Sequence, residues 1–380
     1  MFAGLCAARG PATGKVLLVA PAPPTSEEQI LLGPAGRWLV GAHPVPDRRS
    51  LVAGRALTRF VAGLEASHHL TVLLSGGGSA LAVLPAPGLS LEDKRRTTAA
   101  LARAGADIQA LNVVRKHLSA IKGGRLGAAT PARTEVLALS DVVGNDPGTI
   151  ASGPFSADPS TYAHATDILA RFGIALPPAV DRHLARGRAG EIDETPKPGS
   201  GALAHVTFRI LAGPEDALRQ ACIVARARGY VPEVLADNLE DPVQALVARY
   251  AAAARALATA PSGAKLLVAS GEPTVRVTGR GRGGRSTHLA LLVARAIAGI
   301  PGVAFLAAGT DGKDGSTPGA GAVVDGELWR QAIEGGFDPE AALRDFDSVR
   351  VLEPLGCIVP GGPGTNLLDL HFLAAASPVP

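Results

Sequence analysis

The chain has 380 residues, 47% of them hydrophobic and 19% charged, with a net charge of +3, which excludes a disordered chain and is long enough for two domains. With 4% aromatic residues and no basic run nothing points to a nucleic-acid surface, and three scattered cysteines without a C-x-x-C pair argue against a disulfide framework or a zinc site. No apolar stretch approaches the ~20 residues of a membrane span, and residues 1–8 lack the charged start of a signal peptide, so a cytoplasmic protein with no membrane partner is expected.

Taken in chain order, residues 15–20 read as a strand, and Pro21-Ala-Pro-Pro24 forbids a helix directly after it. Residues 49–66 have helical spacing, with Leu51, Ala56, Phe60 and Leu64 on one face. A buried strand, 69–74, runs into Ser75-Gly-Gly-Gly-Ser79. Ser90 and Asp93 then cap a helix to about Arg103, and 107–121 is helical up to Gly123-Gly124. Residues 135–140 form another strand. The alternation predicts βα units and a largely parallel sheet covered on both faces. The stretch between Arg186 and Ala204 is rich in Pro, Gly and charge and reads as a linker or exposed crossover. A second series of strands (206–211, 231–235, 265–269, 303–308) and helices (217–226, 242–257, 287–298) follows.

Five strand ends carry small residues and carboxylates, and open α/β sheets bind ligands at such ends. The turn Ser75, Gly76, Gly77, Gly78, Ser79 can press backbone N–H groups against an anion, phosphate being the usual one. Asn112, Arg115, Lys116 and Ser119 share neighbouring helical turns and suit a phosphate or carboxylate; a solvated basic face gives the same spacing. In Ser140-Asp-Val-Val-Gly-Asn-Asp-Pro-Gly148, Asp141 and Asp146 are positioned to coordinate Mg²⁺ or accept a hydroxyl proton, although Asp146-Pro-Gly is also a plain turn. Arg280, Arg282 and Arg285 lie in a glycine-rich loop before a helix N-terminus, an anion site in the making, with Glu272 just upstream. An RNA-binding tail of that composition would be longer and terminal. Thr310-Asp-Gly-Lys-Asp-Gly315 has only a superficial likeness to a calcium loop; an Asp-rich turn serving a Mg²⁺-nucleotide, or simply turning, fits better.

Together these motifs resemble the ATP-dependent glycerate 2-kinases, a family also named hydroxypyruvate reductases. The match runs collinearly from Gly41-Ala-His-Pro-Val-Pro-Asp47 through Leu74-Ser-Gly-Gly-Gly-Ser-Ala80, Asn112-Val-Val-Arg-Lys-His-Leu118 and Lys122-Gly-Gly-Arg-Leu126. It continues through Ser140-Asp-Val-Val-Gly-Asn-Asp146, Ser152-Gly-Pro154, Ser270-Gly-Glu-Pro-Thr274 and Gly281-Arg-Gly-Gly-Arg285 to Gly309-Thr-Asp-Gly-Lys-Asp-Gly315 and, loosely, Gly361-Gly-Pro-Gly-Thr-Asn366. The resemblance implies an α/β protein of two dissimilar three-layer α/β/α domains, 1–195 (Rossmann-like, mainly parallel sheet) and 204–380 (MOFRL-type), with the active site in the cleft between them.

It also implies phosphorylation of D-glycerate to 2-phosphoglycerate by ATP with Mg²⁺. In that scheme Ser75–Ser79, Asn112, Arg115 and Lys116 cradle the acid or its phosphate, and Asp141 or Asp146 orients the hydroxyl or holds Mg²⁺. Arg285 offsets charge on the transferring group, and Glu272, Arg282, Asp311 and Asp314 serve the nucleotide, the two aspartates through the metal. Glycerate and ATP are the partners expected, with a homodimer as an assembly to test for.

The sequence departs from the family pattern at Ser286-Thr-His288 and Ser316-Thr-Pro-Gly-Ala320. It also lacks the family's opening strand and Gly-x-Gly-Lys-Ala loop, and Met1-Phe-Ala-Gly-Leu-Cys-Ala-Ala8 has the spacing of a helix already under way without a cap. The expectation is a native protein that starts further upstream, with a lysine-free ligand-binding relic as the competing reading. An NAD(P)H-dependent hydroxypyruvate reductase is the alternative activity, but no Gly-x-Gly-x-x-Gly follows a strand with an acidic residue ~20 positions on.

Overall fold

The computed structural model describes residues 1–10, 14–259, 264–362 and 364–375. The chain divides into two units, Met1–Ala138 with Gly144–Leu211, and Leu139–Val143 with Ala212–Pro380.

In the first unit, strands β1 (Val16–Ala20) and β2 (Gly36–Val40) pair in parallel as a two-stranded sheet. Strands β3 (His69–Leu74), β4 (Arg133–Leu139) and β5 (Val206–Ala212) form a separate sheet in that order, with β3 and β4 parallel. Ala53, Val61, Leu70, Leu126 and Val136 form a core against which Val19, Leu39 and Val72 pack. The helix Arg48–Ala62 buries Ala53, Ala56 and Val61 on one stripe. The opening helix Phe2–Arg9 has no side-chain cap, as its sequence indicates.

Residues 21–25 stay non-helical, as the prolines dictate, and the helix Ser26–Leu32 then starts on a reciprocal capping box of Thr25 and Glu28. Two local features differ from the sequence expectation. The helix Ile108–His117 ends four residues before Ile121. The buried Lys94 ammonium caps this end, donating to the carbonyl of Arg115 (2.7 Å) and, at 3.4 Å, to that of Leu118, which also accepts from the Ala86 amide. The Pro-rich stretch after the helix Pro178–Arg188 is packed rather than free. Thr195 is buried and donates to Asp158, while Glu194 accepts from the Tyr162 amide and from Lys197.

The second unit is built on a six-stranded mixed sheet: β6 (Val231–Leu239), β7 (Lys265–Gly271), β8 (Val303–Gly309), β9 (Gly321–Asp325), β10 (Ile358–Val359) and β11 (Asp369–Ala375), in the order β10-β9-β8-β11-β7-β6. Strands β6 and β7 are parallel, but β11 lies antiparallel between β7 and β8. Its register sets Asp369 opposite both Gly271 and Gly309, so β11 begins where its two neighbours end. That juxtaposition builds the candidate site of this unit. Behind it, Tyr250, Phe305, Leu289 and Leu373 pack in the core, and burial pushes the imidazole of His371 down to about 3 while its Nδ1 shares a hydrogen bond with the Tyr250 hydroxyl. Among the described residues no helix is long and apolar enough to cross a membrane.

Candidate functional site

In the first unit the glycine turn follows β3 directly. Gly77 has φ +77°, a left-handed conformation that glycine adopts without strain. Gly78 lies so close to Ala151 that a Cβ there would come within 2.7 Å of the alanine methyl group. The closeness brings Ser79 Oγ to 2.7 Å from Ser152 Oγ. Ser152 donates onward to Asn112 Oδ1 at 2.9 Å, so the Ser79 hydroxyl is the donor in the first bond. Ala151 and Ser152 themselves have φ of 52° and 61°, costing about 1–2 kcal/mol each for residues with a Cβ. The Gly123 amide, donating to the Ser152 carbonyl at 3.1 Å, helps to hold that strained turn.

Cations gather behind this turn. The Lys122 ammonium is buried and donates to the Gly78 carbonyl at 2.8 Å. Burial, reinforced by the positive charge of Arg115, pulls it down to about 7. Burial, with the charges of Lys122 and Arg115, also holds Lys94 well below the usual lysine range. Arg115 is half-buried, and among the described residues its guanidinium makes no hydrogen bond or ion pair; burial shifts it downward too. Arg115, with no ion pair among the described residues, supplies positive charge that favours an anion, and an anion there would in turn favour the protonated form of Lys122.

Lys116, on the same helix, is spent differently. Its ammonium lies 3.3 Å from Asp158 Oδ1, with both side chains buried. Asp146 accepts from the Gly148 amide and the Thr149 hydroxyl, a turn closed by its own carboxylate. Ser75, Gly76 and Asn112 stay with the glycine turn, Asn112 through Ser152.

In the second unit Asp141 Oδ2 accepts from Asn366 Nδ2 at 3.3 Å. Arg285 opens the helix Arg285–Ala296. Its Nε and Nη2 donate to the two oxygens of Asp369 at 2.6 and 2.9 Å, and its Nη1 donates to Glu272 Oε1 at 2.6 Å. Burial works to lower the guanidinium, but the two carboxylates outweigh it and raise it, so Arg285 is permanently charged.

The helix N-terminus beside it is already capped. Asp314, which is buried, accepts from the amides of Ser286 (3.0 Å) and Thr287 (2.8 Å), and burial raises its carboxyl despite those bonds. The glycine-rich loop is also pinned rather than free: Gly281 donates to the Asp345 carbonyl and Arg282 N to Asp347. A Cβ on Gly279, Gly281 or Gly284 would run into the residues packed against it. The Arg282 side chain lies exposed, 4.0 Å from Glu353, and Asp311 accepts from the Lys313 amide in a tight turn. Among the described residues no group of three or more His, Cys, Asp or Glu side chains is placed to hold a metal ion.

Residues 12–185 match a domain of unknown function (DUF4147), and residues 265–369 match the MOFRL family. The D-glycerate 2-kinase of Thermotoga maritima is 36% identical over 340 residues, covering 86% of this chain and 77% of that protein. The chain belongs to the glycerate 2-kinase family. A relative from Agrobacterium vitis that carries a hydroxypyruvate reductase name is 40% identical over 349 residues, 90% of this chain and 78% of that one. The crystal structure of the Thermotoga maritima glycerate kinase superposes with a TM-score of 0.80 at 31% identity, covering 95% of this chain and 91% of that chain.

For a glycerate 2-kinase family member, sequence reasoning passed over Lys122, Ser152 and Asp369. Lys122 and Ser152 stand inside motifs that carry the resemblance, but nothing local marks them as partners of the glycine turn. Asp369 leaves a fainter signal: a lone carboxylate heading the apolar run Asp369-Leu-His-Phe-Leu-Ala-Ala375.

Proposed function

We propose that this chain transfers the γ-phosphoryl group of ATP to the 2-hydroxyl of D-glycerate, giving 2-phosphoglycerate and ADP. The observation that carries the reading is the half-buried Arg115 guanidinium, unpaired among the described residues, beside buried Lys122 at the glycine turn. Such an excess of positive charge suits the glycerate carboxylate, and the N–H groups of residues 75–79 add donors of fixed direction. Ser79, whose proton is given to Ser152, presents an oriented lone pair that accepts from a hydroxyl of the acid. We assign Asp141 to orienting the accepting hydroxyl and Arg285 to offsetting charge on the transferring group, the main demands of a reaction governed by positioning and charge neutralisation.

Mg²⁺ would arrive with the nucleotide and neutralise its phosphate oxygens. Asp311 is the better-placed carboxylate for that ion, because Asp314 is spent on the helix cap. One or two carboxylates plus phosphates and water suffice for a Mg²⁺ shell. The protein works in the cytoplasm on small molecules in this reading.

A coupled assay tests it. ADP release from ATP that depends on D-glycerate supports the kinase, whereas NADH oxidation with hydroxypyruvate and no ADP release replaces it with the reductase. Within the kinase reading, Arg285→Ala is expected to lower kcat by about 10²-fold or more, as loss of a transition-state charge contact does. A wild-type kcat would remove Arg285 from the chemistry.

A further inference from the structure

Arg285 faces more negative charge than it needs. One guanidinium meets two carboxylates, and the two pairs differ in kind. The Asp369 side chain is 3% exposed, grips Nε and Nη2 together, and accepts from the Ser286 hydroxyl at 3.2 Å. Its backbone is fixed at the head of β11, opposite Gly271 and Gly309. Breaking that pair would strand a buried carboxylate, so a ligand gains nothing by competing for it. The Glu272 side chain is 56% exposed, and among the described residues its carboxylate holds Arg285 Nη1 and nothing else. An exposed pair of this kind is weak and screened by salt. A phosphate offers the same donor edge more oxygens and more charge.

We infer that Glu272 is a displaceable mask on Arg285: in the ligand-free protein its carboxylate occupies the donor edge that the nucleotide's terminal phosphate takes on binding. Asp369 keeps the guanidinium in place during the exchange. The inference rests on the reading that Arg285 receives the transferring phosphoryl group. It reverses the sign expected if Glu272 were itself a nucleotide contact, since removing a contact weakens binding and removing a mask strengthens it.

The test is calorimetric titration of the full chain with Mg²⁺ and a non-hydrolysable ATP analogue, for the parent, Glu272→Gln, Arg285→Ala and the double variant. Binding is read directly, so loss of turnover in Arg285→Ala does not obscure the result. Glu272→Gln is expected to tighten Kd about two- to fivefold at low salt, the worth of an exposed ion pair. The gain should shrink at high salt, and Glu272→Gln should leave Kd unchanged in the Arg285→Ala background, where nothing is left to unmask. Weaker binding by Glu272→Gln overturns the inference and makes Glu272 a ligand contact. An equal gain in both backgrounds also overturns it, reducing the effect to general repulsion. If Arg285→Ala alone leaves both Kd and kcat at parent values, the Arg285 reading falls and the mask falls with it.

Discussion

Lys116→Met separates binding from stability on the helix Ile108–His117. Lys116 and Asp158 form an ion pair with side chains 9% and 1% exposed. An exposed pair would contribute about 0–1 kcal/mol, but removing one partner of a buried pair costs about 3–5 kcal/mol, because the other charge is left without solvent or counter-ion. Asp158 keeps hydrogen bonds from the Ser160 amide (3.2 Å), the Ser160 hydroxyl (2.7 Å) and the Thr195 hydroxyl (3.0 Å), which places the loss near the low end, at about 3 kcal/mol.

The pH dependence has a definite sign. Burial works to raise the Asp158 carboxyl, but Lys116, the Ser160 hydrogen bonds and His117 outweigh it and hold it below its ordinary 3.8. Its stabilising contribution is therefore present above about pH 4 and is lost as pH falls through the depressed folded value. The gap between parent and variant should be full at pH 7 and close in acid. Urea unfolding followed through Trp38, in a Trp329→Phe background, reports the first unit. Adding Asp158→Asn to Lys116→Met should recover at least half of the loss. A difference under about 1 kcal/mol at pH 7, the range of an exposed pair, or a raised KM for glycerate at unchanged stability, would refute the reasoning and return Lys116 to the substrate.

Lys122 predicts a pH profile of the opposite sense. Its folded value of about 7 lies below the ordinary 10.5, so the unfolded chain binds the extra proton and stability should rise with pH between those values, by up to about 1.4 kcal/mol per pH unit. Lys122→Met should flatten that rise in equilibrium unfolding, and an unchanged slope would rule the lysine out as its source. Gly284→Ala would drive a methyl group into the Asp314 carboxylate that caps the helix Arg285–Ala296; loss of the cap and overpacking together should cost about 2 kcal/mol or more. Thermal unfolding checks it, and an unshifted Tm would mean that the cap accommodates the added carbon.

What was legible in the sequence follows from how local its physical cause is. The strand before Ser75 and the cap at Ser90 are decided by neighbouring residues, and they appear where the pattern put them. Strand β11 is decided by partners about 60 and 100 residues away, so its central antiparallel place has no local signature. The same distance hid Asp369, which matters only because β11 starts between the ends of β7 and β8. The early end of the helix at His117 was hidden for a related reason, since its capping ammonium comes from Lys94 in another helix. Motif spacing located Asp146 and Lys116 as polar residues near a turn or on a helix face. It could not reveal that each is already committed, one to its own turn and the other to Asp158.

Charge accounting then sorts residues that look alike in sequence. Arg115, Lys116, Lys122 and Arg285 are all cations in motifs shared with the family, yet their surroundings differ in sign. Lys116 is balanced by one buried carboxylate. Arg285 is overbalanced by two, so an anion reaches it only by exchange, which suits a group that must be contacted briefly and then released. Arg115 and Lys122 are underbalanced: Lys122 leans on a carbonyl, and among the described residues the Arg115 guanidinium has no hydrogen bond or ion pair at all. A standing deficit of negative charge in a partly dry place is costly unless a ligand relieves it. In the proposed reading the first unit therefore suits an anion that stays through the reaction, as the glycerate carboxylate must, and Arg285 suits charge that passes through.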